Sequence, residues 1–227
     1  MRPIVVLGDT REAATLSAAL ARRGWEVSSS LTAIAPDRPV IDAHHPMDAV
    51  GPAQSIKRAL DVGARRIRLT RRGWRAGPSD DWRRVADARE AASALAPSWG
   101  RVFLALGRDR LTAFAQDDLR FFVVRVRGGA ATLSPMLRDP ARYLIAPEEG
   151  PFSVAHEEAL FRRERIDAVV TRDDGGAGAE PKLIAARRLG LPVVMVSRPA
   201  CDDLDRRAKA TRYSWRAALR WALRGSD

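Results

Sequence analysis

Cysteine is almost absent. Among 227 residues only Cys201 carries a thiol, so no internal disulfide can form, and that thiol lacks the companions of a structural zinc site. It is assigned no role, and no metal is expected. Lysine is nearly as scarce, with Lys57, Lys182 and Lys209 the only three. No stretch approaches the ~20 consecutive apolar residues of a membrane-spanning helix. The opening MRPIVVLGDT has one basic residue and a four-residue apolar run that ends in a glycine turn, which reads as a first strand and not as a secretion signal. A soluble, cytoplasmic protein is therefore the expectation. Aromatics are only 6% of the chain and few lie among the basic residues, so despite a net charge of +11 nucleic acid is not the expected partner.

What is present in excess is arginine. Lys+Arg total 39 against 28 for Asp+Glu, and nearly all of that cation is guanidinium. Planar forks of this kind suit carboxylates and phosphates, so the balance fits an anionic ligand, although a genome rich in G and C would raise arginine by itself.

Apolar runs suited to buried parallel strands recur at Ile4–Leu7, Val40–Ile41, Ile67–Leu69, Val102–Leu106, Phe121–Val126, Tyr143–Ala146, Ala168–Val170 and Val193–Val196. Between them, Arg11–Arg23, Gly51–Val62, Ala88–Leu95, Val154–Arg165 and Glu180–Leu189 place apolar residues at helical spacing, most of them closed by Gly or Pro. This alternation predicts an α/β fold with mostly parallel sheets. The segment Arg72–Arg84 breaks the pattern and reads as a connection. A boundary near residue 97 is expected, giving units 1–97 and 98–227, with the last helix, about Ser214–Leu223, packing back through Trp215, Leu219 and Leu223. Strand, glycine turn and helix at Ile4–Arg23 are echoed at Val102–Ala115, which suggests two similar sheets with a ligand cleft between them.

Three turns could carry chemistry. Gly8-Asp9-Thr10-Arg11-Glu12 follows the first strand and opens a helix, where backbone amides and the helix dipole favour a phosphate. Asp42-Ala43-His44-His45-Pro46 closes a short strand with two imidazoles beside a carboxylate. Adjacent histidines on a strand point to opposite sides, so proton transfer or a polar turn is expected there before a shared metal ion. Thr171 to Lys182 holds three glycines flanked by Arg172 and Lys182, an anion cradle or a plain surface loop.

The order of motifs resembles the precorrin-6A reductase family over almost the whole chain. VIDAHHPM at 40–47 is similar to its histidine motif, VFLALGRDRLTAFA at 102–115 to its G-R turn, and Gly150-Pro151-Phe152-Ser153 to its G-P-F-S segment. The block at 170–199, VTRDDGGAGAEPKLIAARRLGLPVVMVSRP, resembles its glycine block. The resemblance implies two Rossmann-like lobes, with NADPH as cofactor and hydride transfer to precorrin-6A, a polycarboxylate tetrapyrrole, to give precorrin-6B. By position it places Gly8, Thr10, Glu12, Gly107, Arg108, Arg172, Gly175, Gly176, Glu180 and Lys182 toward the cofactor. Asp42, Pro46, Gly150, Pro151, Phe152, Ser153 and Arg198 fall toward the substrate, and His45 is the candidate for proton donation or substrate orientation. Asp9 stands where the family has glycine and His44 where it has threonine. Only 33 residues separate Gly8 from Asp42, so one βα unit is expected to be missing. Those departures favour a second reading, a relative that binds a tetrapyrrole or nucleotide without reducing it.

Overall fold

In the computed structural model the apolar runs become the inner strands of two sheets, and every strand pairing among the described residues is parallel. Residues 1–126, 141–146, 152–199 and 211–224 are described; Gly150, Pro151 and Cys201 lie outside them. The first stretch of chain runs β1 (Arg2–Leu7), α1 (Arg11–Ala21), β2 (Trp25–Ser28), a 3-10 turn at Leu31–Ala33, β3 (Val40–Asp42), α2 (Val50–Val62) and β4 (Arg66–Leu69). The middle holds β5 (Trp82–Val85), α3 (Ala88–Ser93), β6 (Arg101–Ala105), a 3-10 helix at Arg108–Phe114, β7 (Phe121–Arg125) and β8 (Tyr143–Ala146). It continues through α4 (Val154–Arg163), β9 (Ala168–Arg172), α5 (Pro181–Leu189) and β10 (Val193–Val196), and the chain closes with β11 (Thr211–Arg212) and α6 (Trp215–Arg224). Among the described residues no helix is long and apolar enough to cross a membrane.

Two compact units result, one of residues 1–72 with 199–227 and the other of residues 73–198. The boundary expected near residue 97 is therefore corrected. The chain crosses near residue 72 and returns near 198, because α6 finds its apolar partner in α1. Ala218, Leu219 and Ala222 bury against the face of α1 that carries Ala13, Leu16 and Leu20, beside Ile4 and Val6 of β1. Val5 and Leu7 point to the other side of the sheet and meet Ile34 and Val40. With both faces covered, β1 has no polar side, which is why its apolar run is continuous. In the second unit Phe103, Val169, Val193 and Met195 pack beneath Leu160, Phe161, Leu183 and Ala186 of α4 and α5. Phe103 meets Phe161 edge to face at 5.1 Å.

Two further expectations change. The interval between Gly8 and Asp42 holds β2, so the strand thought missing is present, and only the link from β2 to β3 is reduced to a single 3-10 turn. The stretch read as a connection ends in β5, an edge strand beside β10 whose Arg83 and Arg84 would be out of place in a sheet interior.

The strand orders are β11-β4-β3-β1-β2 and β5-β10-β9-β6-β7-β8. The chain therefore reverses direction across the first sheet between β1 and β3, and across the second between β6 and β9. In open parallel sheets the carboxyl ends of the strands at such a reversal frame a ligand crevice.

Candidate functional site

In the first unit the reversal point is closed by backbone on backbone. Gly8 follows β1 with φ 105°, and a Cβ there would stand 2.5 Å from the carbonyl of Ala43 and from the amide of His44. Only glycine tolerates both the angle and the contact. Thr10 ties the same two loops: its hydroxyl donates to Ala43 O at 2.8 Å and accepts from Ala13 N–H at 3.2 Å, capping α1. The first turn of α1 then presents its remaining amides and the positive end of the dipole at the head of β1. Asp9 is exposed. Glu12 departs from the cofactor role suggested by position. Arg71 donates to both of its oxygens, at 2.7 and 2.8 Å, and this bond holds the carboxyl below its ordinary range against the opposing effect of burial.

Asp42 is likewise corrected. Its carboxylate is fully buried and cannot face a substrate. Arg66 Nη2 and Arg68 Nη1 donate to it at 2.6 Å each, Ser55 donates to Oδ2, and His44 gives both its backbone N–H (3.1 Å) and its ring Nδ1 (2.8 Å) to Oδ1. Burial alone would raise the Asp42 pKa. The His44 hydrogen bond, the charges of Arg68 and Arg66 and the Ser55 hydroxyl outweigh it and hold the group well below the carboxylate range. The side-chain ring of His44 lies over Gly51, where a Cβ would come within 2.6 Å of Nε2. His45 is fixed in the opposite sense, since its Nδ1 accepts from Met47 N–H at 3.2 Å. A neutral His45 thus carries its hydrogen on Nε2, whereas His44 uses Nδ1–H and keeps Nε2 as the acceptor. Pro46 and Met47 are buried beneath this turn, so Pro46 supports the loop from within.

In the second unit Gly107 follows β6 with φ 84°, and a Cβ on it would meet Arg172 Nη1 at 2.9 Å. Arg172 ends β9 and pairs with Asp174 at 2.7 Å. The reversal point thus brings together two motifs 65 positions apart in the sequence. Gly175 and Gly176 both take positive φ, 64° and 80°, bending the chain toward α5, with Glu180 half-buried just ahead of that helix. Arg108 is exposed at the head of its 3-10 helix. Arg198 donates to Asp173 O at 2.9 Å, and Asp173 in turn accepts from Trp74 N–H at 2.9 Å and Arg84 at 3.2 Å, so Arg198 belongs to a frame around Trp74 at the start of the second unit.

Lys182 carries the strongest chemical signal. It is only 5% exposed, its ammonium donates to Ala179 O at 2.6 Å and lies 5.0 Å from the Trp74 ring centroid. Burial pushes its pKa down to about 8; Asp174 and Glu157 pull it up, while Arg125 and Arg172 add to the depression. Arg125 lies against Phe152 and Phe103, 4.0 and 4.9 Å from their ring centroids, and donates to Glu157 Oε1 at 2.5 Å. Phe152 thus braces a cation, and Ser153 caps α4 by accepting from His156 N–H at 3.1 Å. Glu157 Oε2 is buried without a hydrogen-bond partner among the described residues. Three cations, Lys182, Arg125 and Arg172, therefore cluster at this end of the sheet with two carboxylates, Asp174 and Glu157, the latter incompletely bonded, an arrangement that suits an anionic ligand. Among the described residues no three of His, Cys, Asp and Glu converge as metal ligands. Sequence reasoning missed Arg66, Arg68, Arg125 and the role of His44. The available signal was a charged residue at the end or inside of an otherwise apolar strand.

A family model described as Precorrin-6x reductase CbiJ/CobK matches residues 37–222. The chain is 34% identical over 233 residues to the precorrin-6A reductase of Rhodobacter capsulatus, covering 90% of this chain and 91% of that protein. It is 36% identical over 228 residues to the precorrin-6A reductase of Rhodococcus erythropolis, covering 88% and 90%. Its fold is similar to the solved structure of a CobK precorrin-6A reductase, with TM-score 0.81 and 28% identity, covering 100% of this chain and 98% of that one.

Proposed function

Because the chain belongs to the precorrin-6x reductase family, we propose that it transfers a hydride from NADPH to precorrin-6A, giving precorrin-6B, in the cytoplasm. It is an oxidoreductase of cobalamin biosynthesis. One observation supports this reading most directly: in each unit a positive-φ glycine, Gly8 or Gly107, ends the strand at which the sheet order reverses. The Gly8 cradle fits the diphosphate of a dinucleotide, with the Thr10-capped start of α1 supplying amides.

When bound, the reduced nicotinamide supplies the hydride. The protein's own groups bind and orient. His45 offers Nε2–H as a hydrogen-bond donor to the macrocycle, its Nδ1 being occupied by the Met47 N–H. His44 is held on the buried Asp42 carboxylate through both its ring Nδ1 and its backbone N–H, and so fixes the turn that presents His45. Arg172, Lys182 and the Gly175-Gly176 turn take anionic groups, either cofactor phosphate or acetate and propionate arms, with Arg108 steering from the surface. Arg125, braced by Phe152, keeps the field of that crevice positive.

The test is NADPH titration followed by melting temperature. A ligand that binds only the native state adds RT ln(1 + [L]/Kd), about 2.7 kcal/mol at a hundredfold excess over Kd. A clear upward shift, with oxidation of NADPH once precorrin-6A is added, is the expected result. No shift at millimolar NADPH refutes the cofactor site, and a shift without oxidation returns the alternative, a binding protein that does not reduce.

A further inference from the structure

The amino ends of β5 and β10 lie at the opposite end of the second sheet from the Gly107 and Gly175-Gly176 turns, and they are poorly covered. The helix over them, α3, packs on β5 and β10 but has only six residues, a length of ~9 Å at 1.5 Å per residue. It begins just past the carboxyl end of β5 and stops short of the amino ends of both four-residue strands, which run ~13 Å. The space left is a cavity of about 420 Å³, within the size range of small-molecule sites. Arg83 and Val194, neighbours in the strand register, form its floor, and Leu95, Pro97 and Trp99 of the chain leaving α3 form a wall. That wall is held from outside the cavity. Arg120 donates to the carbonyls of Leu95, Ala96 and Trp99 at 3.3, 3.1 and 3.1 Å, and pairs with Asp117 at 2.5 Å. On the other side Arg187 clamps Asp80, the neighbour of Asp81, with Nε and Nη2 at 2.8 and 2.7 Å.

Two opposite charges at this cavity are left over. Asp81 O still accepts from Val193 N–H at 2.8 Å, so the ladder reaches Asp81, and alternation along the strand sets Asp81 and Arg83 on one face, ~7 Å apart. Both side chains line the cavity and are exposed. Among the described residues neither makes a hydrogen bond or ion pair, with the other or with a third group. An unpaired guanidinium and an unpaired carboxylate beside an indole and aliphatic walls match a molecule that carries both charges on an apolar body.

We infer that this cavity binds a free amino acid with an apolar or aromatic side chain. Arg83 takes its carboxylate through the planar fork, Asp81 takes its ammonium, and Leu95, Pro97 and Trp99 take its side chain. The site stands apart from hydride transfer and does not depend on it. Calorimetric titration of the full chain with L-phenylalanine, 3-phenylpropionate and 2-phenylethylamine tests it, since the second probe lacks the ammonium and the third the carboxylate. L-phenylalanine should bind with a Kd of about 1 mM or tighter, and each single-charge analogue about 10-fold more weakly or worse. Arg83→Met and Asp81→Asn should each lower that affinity by about 10-fold. Melting temperature and NADPH binding should match the native chain in both variants, because the two side chains are exposed and belong to neither glycine turn. Titrations with L-leucine and L-tryptophan run beside these, and no binding of any of the three amino acids at about ten times that Kd overturns the inference. Equal affinity for the single-charge analogues, or undiminished binding in both variants, overturns it as well and leaves Arg83 as a charge that guards the edge of the sheet.

Discussion

His44 donates its ring Nδ1–H to Oδ1 of Asp42 across 2.8 Å, and the same buried carboxylate carries Arg66 and Arg68. The turn at the carboxyl end of β3 is therefore held by a charge cluster beneath it. Asp42→Asn would leave two guanidinium groups without their counter-ion, a loss of about 3–5 kcal/mol for a broken buried pair. The pH dependence has a definite sign. With a native pKa held below the ordinary 3.8, the native state binds fewer protons than the unfolded chain at acidic pH. The stabilisation is complete above about pH 4 and drains away as pH falls further. Urea midpoints of the native chain should drop on acidification below pH 4, whereas Asp42→Asn should start lower and change less.

Gly8 and Gly107 share a positive φ but differ in what a methyl group would strike. At Gly8 the obstacle is backbone, Ala43 and His44 at 2.5 Å; at Gly107 it is the end of Arg172 at 2.9 Å, which can swing aside. Forcing an L-residue into such angles costs roughly 1–3 kcal/mol, and Gly107, at φ 84° and ψ 158°, lies in a region adopted almost only by glycine. Gly107→Ala should lose little more than that, while Gly8→Ala should lose clearly more and also weaken NADPH binding. Chemical denaturation of both variants, with and without NADPH, gives the comparison. Equal destabilisation would mean that the Ala43–His44 peptide yields easily and that the cradle is soft.

The parts of the fold legible in the sequence were the strands covered on both faces, such as β1 and β10, because continuous burial demands a continuous apolar run. The strands overlooked, β2 (WEVS), β5 (WRRV) and β11 (TR), all lie at sheet edges, where half the residues face solvent and apolar patterning fades. The domain boundary was misplaced for another reason. What brings α6 to α1 is a contact between residues some 200 positions apart, and a local reading of apolar spacing cannot choose between equally apolar partners. In the site, glycines directly after strands announced themselves. Asp42 did not, since its burial depends on Arg66 and Arg68 arriving from β4, and a carboxylate beside two histidines looks the same in sequence whether it faces ligand or core.

The arginines separate into those that build the crevice and those on the surface. Arg172 closes on Gly107 and Asp174, and Arg108 heads the 3-10 helix beside them. Arg22 is exposed, and Arg188 makes a surface pair with Glu158 at 3.0 Å, a kind of contact worth about 0–1 kcal/mol. A charge-assisted hydrogen bond to a ligand is worth about 1.5–3 kcal/mol. Arg172→Ala or Arg108→Ala should therefore weaken tetrapyrrole or cofactor binding by about 10-fold or more, and Arg22→Ala or Arg188→Ala by almost nothing. Binding measured at two salt concentrations tests it, because exposed charges act through screened attraction. Equal losses at all four positions would mean that the positive charge is diffuse.

Lys182 yields the sharpest test, because its stability and binding effects should have opposite signs. Its pKa falls from 10.5 to about 8 because the ammonium is buried, so between those values the unfolded chain binds more protons than the native one, and native stability rises with pH across the window. Below about pH 8 the buried charge costs the fold its full penalty, on the order of 3 kcal/mol for a displacement of that size. Lys182→Met keeps the length and apolar stem and removes the charge. It gives up the bond to Ala179 O and the contact with Trp74, together about 1–2 kcal/mol. The net expectation is a protein more stable than the native chain by about 1–2 kcal/mol at pH 7, with the advantage gone above pH 10.5. Anion binding in the second unit should fall in the same variant. A residue that weakens the fold yet serves the ligand is the signature of a site maintained for function. Denaturation curves at pH 7 and pH 10.5, set beside calorimetric titration with NADPH and with a tetrapyrrole polycarboxylate, decide it. A variant less stable at pH 7 with ligand affinity intact would make Lys182 a structural prop for the Gly175-Gly176 turn.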